Sequence, residues 1–172
     1  MMTVAEYRQL PDREDVIQEL HWGILFNLTR PKMRHAKLQS HLTRLLRPLA
    51  EHIGVVETEV AFRALPEYEL RGADVAFVSK ERWDATDDDD NLHGSPELVI
   101  EILSPSNTKA EIHEKAVLCL STGAFEFWVL DAKRKTISVT SRDGDSVVYR
   151  IGDRMGLNLF EGYLEISEVF AV

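Results

Sequence analysis

The segment Glu97-Leu98-Val99-Ile100-Glu101-Ile102-Leu103, closed by Ser104-Pro105, constrains this chain more than any other. Its β-branched and aliphatic residues run on without polar alternation, the pattern of a strand covered on both faces. Glu101 is then an anomaly. An ionised carboxylate inside such a strand costs several kcal/mol unless a cation, a proton or several donors compensate it. A second acid, Asp74, stands in a similar segment, Ala73-Asp74-Val75-Ala76-Phe77-Val78. Two carboxylates on neighbouring central strands make a seat for a hard divalent metal.

The rest of the chain supplies the layers such a strand needs. Val16-Ile17 and Ile24-Leu25-Phe26 suggest two short strands turning at Trp22-Gly23. Leu38, Leu42, Leu45 and Leu49 lie on one stripe of a helix predicted from about Lys32 to His52, with Pro48 expected to kink or shorten its last turn and Gly54 to end it. Strands follow at Val55 to Phe62 and Gly72 to Ser79, then an acidic loop from Lys80 to Ser95. Thr108-Lys109-Ala110-Glu111 has the spacing of a capping box, opening a helix that runs to about Thr122 with Gly123 at its end. Phe125 to Leu130 reads as another central strand, Lys135 to Thr140 and Ser146 to Arg150 as a hairpin, and Leu157 to Phe170 as irregular structure closing an edge. Antiparallel strands followed by a strand-helix-strand crossover predict an α/β (mixed α+β) fold, with a mixed central sheet flanked by helices and an N-terminal β-hairpin. With 172 residues and no internal repeat or linker, residues 1–172 are expected to form a single domain.

One cysteine, Cys119, excludes an intramolecular disulfide framework and a cysteine-based zinc site. No apolar stretch approaches transmembrane length and no signal-peptide pattern opens the chain, so a cytoplasmic location without membrane contact is expected. The net charge of −9 weakens a nucleic-acid reading without excluding it, because the charge is uneven. The acids concentrate in Asp84 to Asp90, whereas Arg30 to Arg47 carries Arg30, Lys32, Arg34, Lys37, Arg44 and Arg47 and no acid. The aspartate run Asp87 to Asp90 lacks the spaced ligands and glycine of a calcium loop and reads as a solvated loop.

Alternation puts Glu97, Val99, Glu101 and Leu103 on one strand face. In the following helix Lys115 borders the stripe of Ile112, Ala116 and Cys119, so its ammonium can lean toward the sheet and reach the Asp74–Glu101 neighbourhood. Two acids and an ammonium around one pocket are the parts of a metal-dependent phosphodiesterase. The same residues have simpler readings. Asp74 can cap backbone amides, and Glu101 can pair with Lys115 or with Arg71 and need no metal.

Ala73-Asp74, Glu101-Ile102-Leu103 and Glu114-Lys115 resemble a variant of the PD-(D/E)XK nuclease signature. A longer likeness, through Gly72 to Val78, Pro96 to Ser106, Glu114-Lys115 and Gly123 to Asp131, is to the Uma-type restriction-endonuclease family. Glu19-Leu20 with Gly23, and Pro31 with His35, extend it upstream. The resemblance implies a restriction-endonuclease-like core, a homodimer, Mg²⁺ or Mn²⁺ as cofactor, and nucleic acid, DNA in particular, as substrate. It implies Asp74 and Glu101 as metal ligands with the backbone carbonyl of Ile102. Leu103 stands where the superfamily has its lysine, and Lys115 would supply the ammonium from the helix. Glu19 would be an additional acid near the metal and His35 would flank the site. Without the resemblance, Glu19 reads as solvent-facing and His35 as a partly buried structural histidine. The chain departs from the family at Trp22, where an acid is usual, and at Cys119, where a tyrosine is usual. The function expected is metal-dependent endonucleolytic hydrolysis of DNA. The alternatives are a non-catalytic binding or assembly domain on the same fold, and action on RNA or a branched structure.

Overall fold

The computed structural model spans Met1–Val172. Its elements run α1 (Val4–Tyr7), β1 (Ile17–His21), β2 (Ile24–Leu28), α2 (Met33–Ala50), β3 (Gly54–Arg63), β4 (Arg71–Ser79), α3 (Lys80–Ala85) and β5 (Leu92–His93). They continue with β6 (Leu98–Ile102), α4 (Lys109–Ser121), β7 (Glu126–Asp131), β8 (Thr136–Ser141), β9 (Ser146–Arg150), β10 (Arg154–Gly156), β11 (Tyr163–Glu165) and α5 (Ile166–Val169).

The continuous apolar runs go to the centre. A seven-stranded mixed sheet has the order β5-β3-β4-β6-β7-β8-β9, and every residue of β6 is buried. β6 and β7 pair in parallel across the α4 crossover, while β4 pairs antiparallel with both β3 and β6. Helix α2 lays Leu38, Leu42, Leu46 and Ala50 on one sheet face, against Val75, Phe77, Ile100 and Trp128. On the other face α4 packs Leu118 and Cys119 among Val78, Val99 and Phe127. The capping box that starts α4 is complete: Thr108 Oγ1 accepts from the Glu111 N–H, and the Glu111 carboxylate accepts from the Thr108 N–H.

Four sequence expectations need correction. Pro48 lies inside α2, which continues two residues past it to Ala50 and stops short of the expected His52; a proline this near the C-terminus removes only its own bond to the Arg44 carbonyl. Gly54 does not end the helix but opens β3. A Cβ there would lie 2.3 Å from the Val78 carbonyl oxygen and 2.5 Å from the Phe77 ring, so the glycine permits close strand approach. The acidic loop contains α3 and β5, and Asp90 is not simply solvated: its carboxylate gathers Arg8, Arg63 and His93. The tail is also ordered, with β10, β11 and α5 sending Met155, Leu164, Ile166 and Val169 into the α2-side core.

Leu42 is wholly buried between α2 and the sheet. Leu42→Ala should cost about 2–5 kcal/mol of unfolding free energy, read as a lowered urea midpoint at unchanged slope.

Candidate active site

The ladder between β4 and β6 stops at the pair Val75–Ile100. The next residue outward on each strand is an acid, Asp74 on β4 and Glu101 on β6, so the two carboxylates flank a fork in the sheet. On the other side of β4, Thr58–Val75 and Val60–Ala73 pair with β3, but Glu59 and Asp74 between them do not. Glu59 adopts φ +53°, left-handed backbone that a non-glycine residue rarely takes. The distortion also reverses the faces. Ala73 packs on the α4 side and Val75, two residues on, on the α2 side. Asp74 lies at that reversal.

Its carboxylate replaces the missing ladder. Asp74 Oδ2 accepts from the Ile102 N–H at 2.7 Å and lies 3.1 Å from His35 Nε2 on α2. The hydrogen bond to Asp74 raises the His35 pKa above its ordinary value, against the opposing pull of burial. Four residues further along α2, the buried Gln39 donates its side-chain amide to the Asp74 carbonyl and to Glu59 Oε1. Asp74 is therefore held from the strand, from the helix and through its own backbone.

Glu101 turns to the α4 side, where Lys115 Nζ lies 2.8 Å from its Oε1. The contact is an ion pair without hydrogen-bond alignment, so this fully enclosed oxygen has no aligned donor. Burial pushes the Glu101 carboxyl up to about 7; Lys115 opposes the rise and Asp74 adds to it. Lys115 behaves the other way. Burial acts to lower it, but the charges of Glu101 and Glu19 outweigh that and hold it above the ordinary lysine range. The ammonium faces two acids, whereas Glu101 faces one cation and two further acids.

Glu19 on β1 is buried, not solvent-facing as its strand position alone suggests. Its Oε1 accepts from the Gly72 N–H at 2.8 Å and its Oε2 lies 2.6 Å from His21 Nε2. Burial works to raise its pKa, but His21, Lys115 and the Gly72 amide together hold it below the usual range. The Gly72 carbonyl in turn accepts from Lys115 Nζ. One glycine thus receives Glu19 on its amide and Lys115 on its carbonyl. Arg71 is not the partner of Glu101; it forms a buried pair with Glu69 and reaches Glu114.

The structure thus gathers Asp74, His35, Glu101, Lys115 and Glu19 around the fork. Sequence reasoning missed Gln39, Glu59 and Gly72. Gly72 had a signal, since a glycine inside a strand marks close approach of other groups. Gln39, four residues after His35, shares its helix face. Nothing in the sequence marks the left-handed turn of Glu59.

Breaking the buried pair should show a pH signature. Lys115→Met leaves Glu101 enclosed among acids and raises its carboxyl further. A carboxyl raised above its ordinary value favours the folded state below that value and loses the advantage as pH rises through the folded value. The variant should therefore lose about 3–5 kcal/mol at pH 8 and much less at pH 5, as read by urea unfolding at the two pH values. An equal loss at both would mean that Lys115 contributes packing alone.

The chain matches the family model Uma2, described as "putative restriction endonuclease", over residues 4–166. Solved structures of similar fold include one from Anabaena variabilis, described as a putative nuclease belonging to DUF820. It superposes with a TM-score of 0.84 at 19% identity, covering 99% of this chain and 98% of that one. None of the curated proteins compared with the chain matches it. A family match over nearly the whole length, on a fold shared with a structure described as a nuclease, settles the lineage: the chain belongs to the Uma2 family.

Proposed function

We propose that residues 1–172 form one nuclease domain, a cytoplasmic homodimer that hydrolyses DNA phosphodiester bonds with Mg²⁺ or Mn²⁺. The observation that carries this reading is the fork itself. Two carboxylates stand where the sheet opens, and one of them is enclosed, raised to about 7 and without an aligned donor on Oε1. One ammonium, that of Lys115, faces Glu101 there, and a divalent cation would complete the compensation of two carboxylates. Mg²⁺ binds through one or two carboxylates and completes its octahedron with water and substrate phosphate, so two acids would be enough to hold it. The donor set is all hard oxygen: Asp74, Glu101 and the Ile102 carbonyl would hold the ion.

When bound, the ion supplies polarisation of the scissile phosphate and a lowered pKa for the attacking water. Asp74 and Glu101 contribute the negative charge that keeps a cation at the fork. His35 and the Ile102 N–H fix Asp74 Oδ2, leaving Oδ1 as the free oxygen of that carboxylate. Lys115, anchored on Gly72 and held above the ordinary lysine range by Glu101 and Glu19, would place a positive charge near the phosphate oxygen that becomes more negative on attack. Glu19 holds Lys115 from the opposite side and adds negative charge near the ion.

A second reading has its own observation. Lys115 already accompanies Glu101, and Leu103 occupies the usual lysine position, which would suit a binding or assembly domain that keeps the fold without the chemistry. Titration calorimetry with Mn²⁺ separates the two, because the nuclease should bind the ion with an affinity that depends on both acids.

The direct experiment is plasmid nicking with added Mn²⁺. Asp74→Ala and Glu101→Ala should each lower the rate by at least roughly 100-fold, and His35→Ala by roughly 10–100-fold as a group that orients a ligand. Parental cutting by both acid variants would refute the hydrolytic assignment. RNA and branched DNA run in parallel define the substrate class.

A further inference from the structure

We infer that Glu59 and Gln39 form a latch that sets the position of Asp74, which makes both of them positioning residues of the fork. The inference rests on the nuclease reading above and deepens it. Pairing between β3 and β4 resumes in the same register on either side of Glu59, Thr58 with Val75 and Val60 with Ala73. No residue is inserted, so the distortion is not a bulge that corrects a register. What it changes is the face. On β3, Val56 packs on the α2 side and Phe62 on the α4 side, just as Val75 and Ala73 do on β4. The reversal is made with a left-handed residue, at φ +53°. Glycine or asparagine would supply that conformation with little strain, whereas a glutamate is held there against its own backbone preference.

The side chain explains the choice. The Glu59 carboxylate has one hydrogen-bond partner, the side-chain amide of Gln39, which donates to Oε1 at 2.5 Å. Glu59 is exposed, so this bond exchanges with water and adds little to the folded state by itself.

Gln39 stands in a different environment. It is buried on α2, and the two N–H groups of its amide go to Glu59 Oε1 and to the Asp74 carbonyl oxygen. A terminal amide turns as one plane, so seating one N–H on Glu59 fixes the direction of the other. That other N–H meets the main chain of Asp74, while His35, one turn earlier on the same helix face, meets its carboxylate. Asp74 pairs with neither neighbouring strand. Without Glu59 the amide is free to turn away, and Asp74 is then held by its side chain alone. Strain kept at such a point trades stability for the geometry of the acid beside it.

Three substitutions separate positioning from support of the fold. Glu59→Gly relieves the backbone and removes the carboxylate, Glu59→Gln keeps an oxygen for Gln39, and Gln39→Met removes both donors at similar volume. Glu59→Gly should melt no lower than the parent and yet bind Mn²⁺ roughly tenfold more weakly in calorimetry. The Ile102 N–H, which donates to Asp74 Oδ2, should exchange with deuterium roughly tenfold faster by NMR, while that of Ile100, inside the intact ladder, stays at the parental rate. Glu59→Gln should restore both readouts to near the parent. In the Gln39→Met background Glu59→Gly should cause no further loss, because the glutamate acts through the amide.

Parental Mn²⁺ affinity and parental Ile102 exchange in Glu59→Gly overturn the inference. So does an equal loss in Glu59→Gln, which would assign the effect to the charge of Glu59. A melting point lowered in step with the affinity also overturns it, since the pair would then serve the fold alone. If the parent binds no Mn²⁺, the metal reading fails by itself; faster Ile102 exchange in Glu59→Gly then still supports the latch, and unchanged exchange still overturns it.

Discussion

A carboxylate and an ammonium can enter this interior only together. Glu101 sits on the central strand that is buried throughout, and Lys115 sits on the helix that covers it; neither charge is tolerable there alone. Much of the architecture serves that pairing. The capping box fixes where α4 begins and hence which of its residues faces the sheet, while the Gly72 carbonyl and Glu19 hold the far side of the ammonium. The compensation remains incomplete: the ammonium lies beside Glu101 Oε1 without hydrogen-bond alignment, and burial raises the carboxyl. A core selected for stability alone would have used an apolar pair of similar volume.

The second acid depends on a defect rather than on a partner. Asp74 is available because β4 has left its ladders at that point. On one side it has parted from β6, and on the other the left-handed Glu59 breaks the pairing with β3. Backbone groups freed by the opening are taken up by side chains, the Ile102 N–H by Asp74 and the Asp74 carbonyl by Gln39. The opening is therefore satisfied rather than frayed, which suits a site that must keep its geometry while a ligand exchanges.

Much of this could be read from the residues. The apolar run around Glu101 specified a covered strand, the Thr108–Glu111 spacing a helix start, and Trp22-Gly23 a hairpin, because each is a local pattern with a local physical cause. Lys115 was traceable too, since helical spacing alone puts it beside the apolar stripe. Short elements were not. β5, β10 and β11 carry two or three residues each, too few for any periodicity. Glu19 could not be placed by its strand, because its burial depends on β1 docking beside β4, a contact between segments far apart in the chain. Glu59 was invisible for a different reason: its backbone is dictated by the strands around it and not by its own preference.

Gly72 gives the molecule a mechanical connection. The hairpin is fastened to its amide through Glu19, and the ammonium to its carbonyl through Lys115, on the two rigid peptide planes that meet at one Cα. A methyl group on that Cα would sit 3.3 Å from Glu19 Oε1, so the seat is fitted to the bare backbone. The outer hairpin and the buried ammonium thus share one anchor, a single residue that has no side chain, so both are positioned from the same stretch of β4.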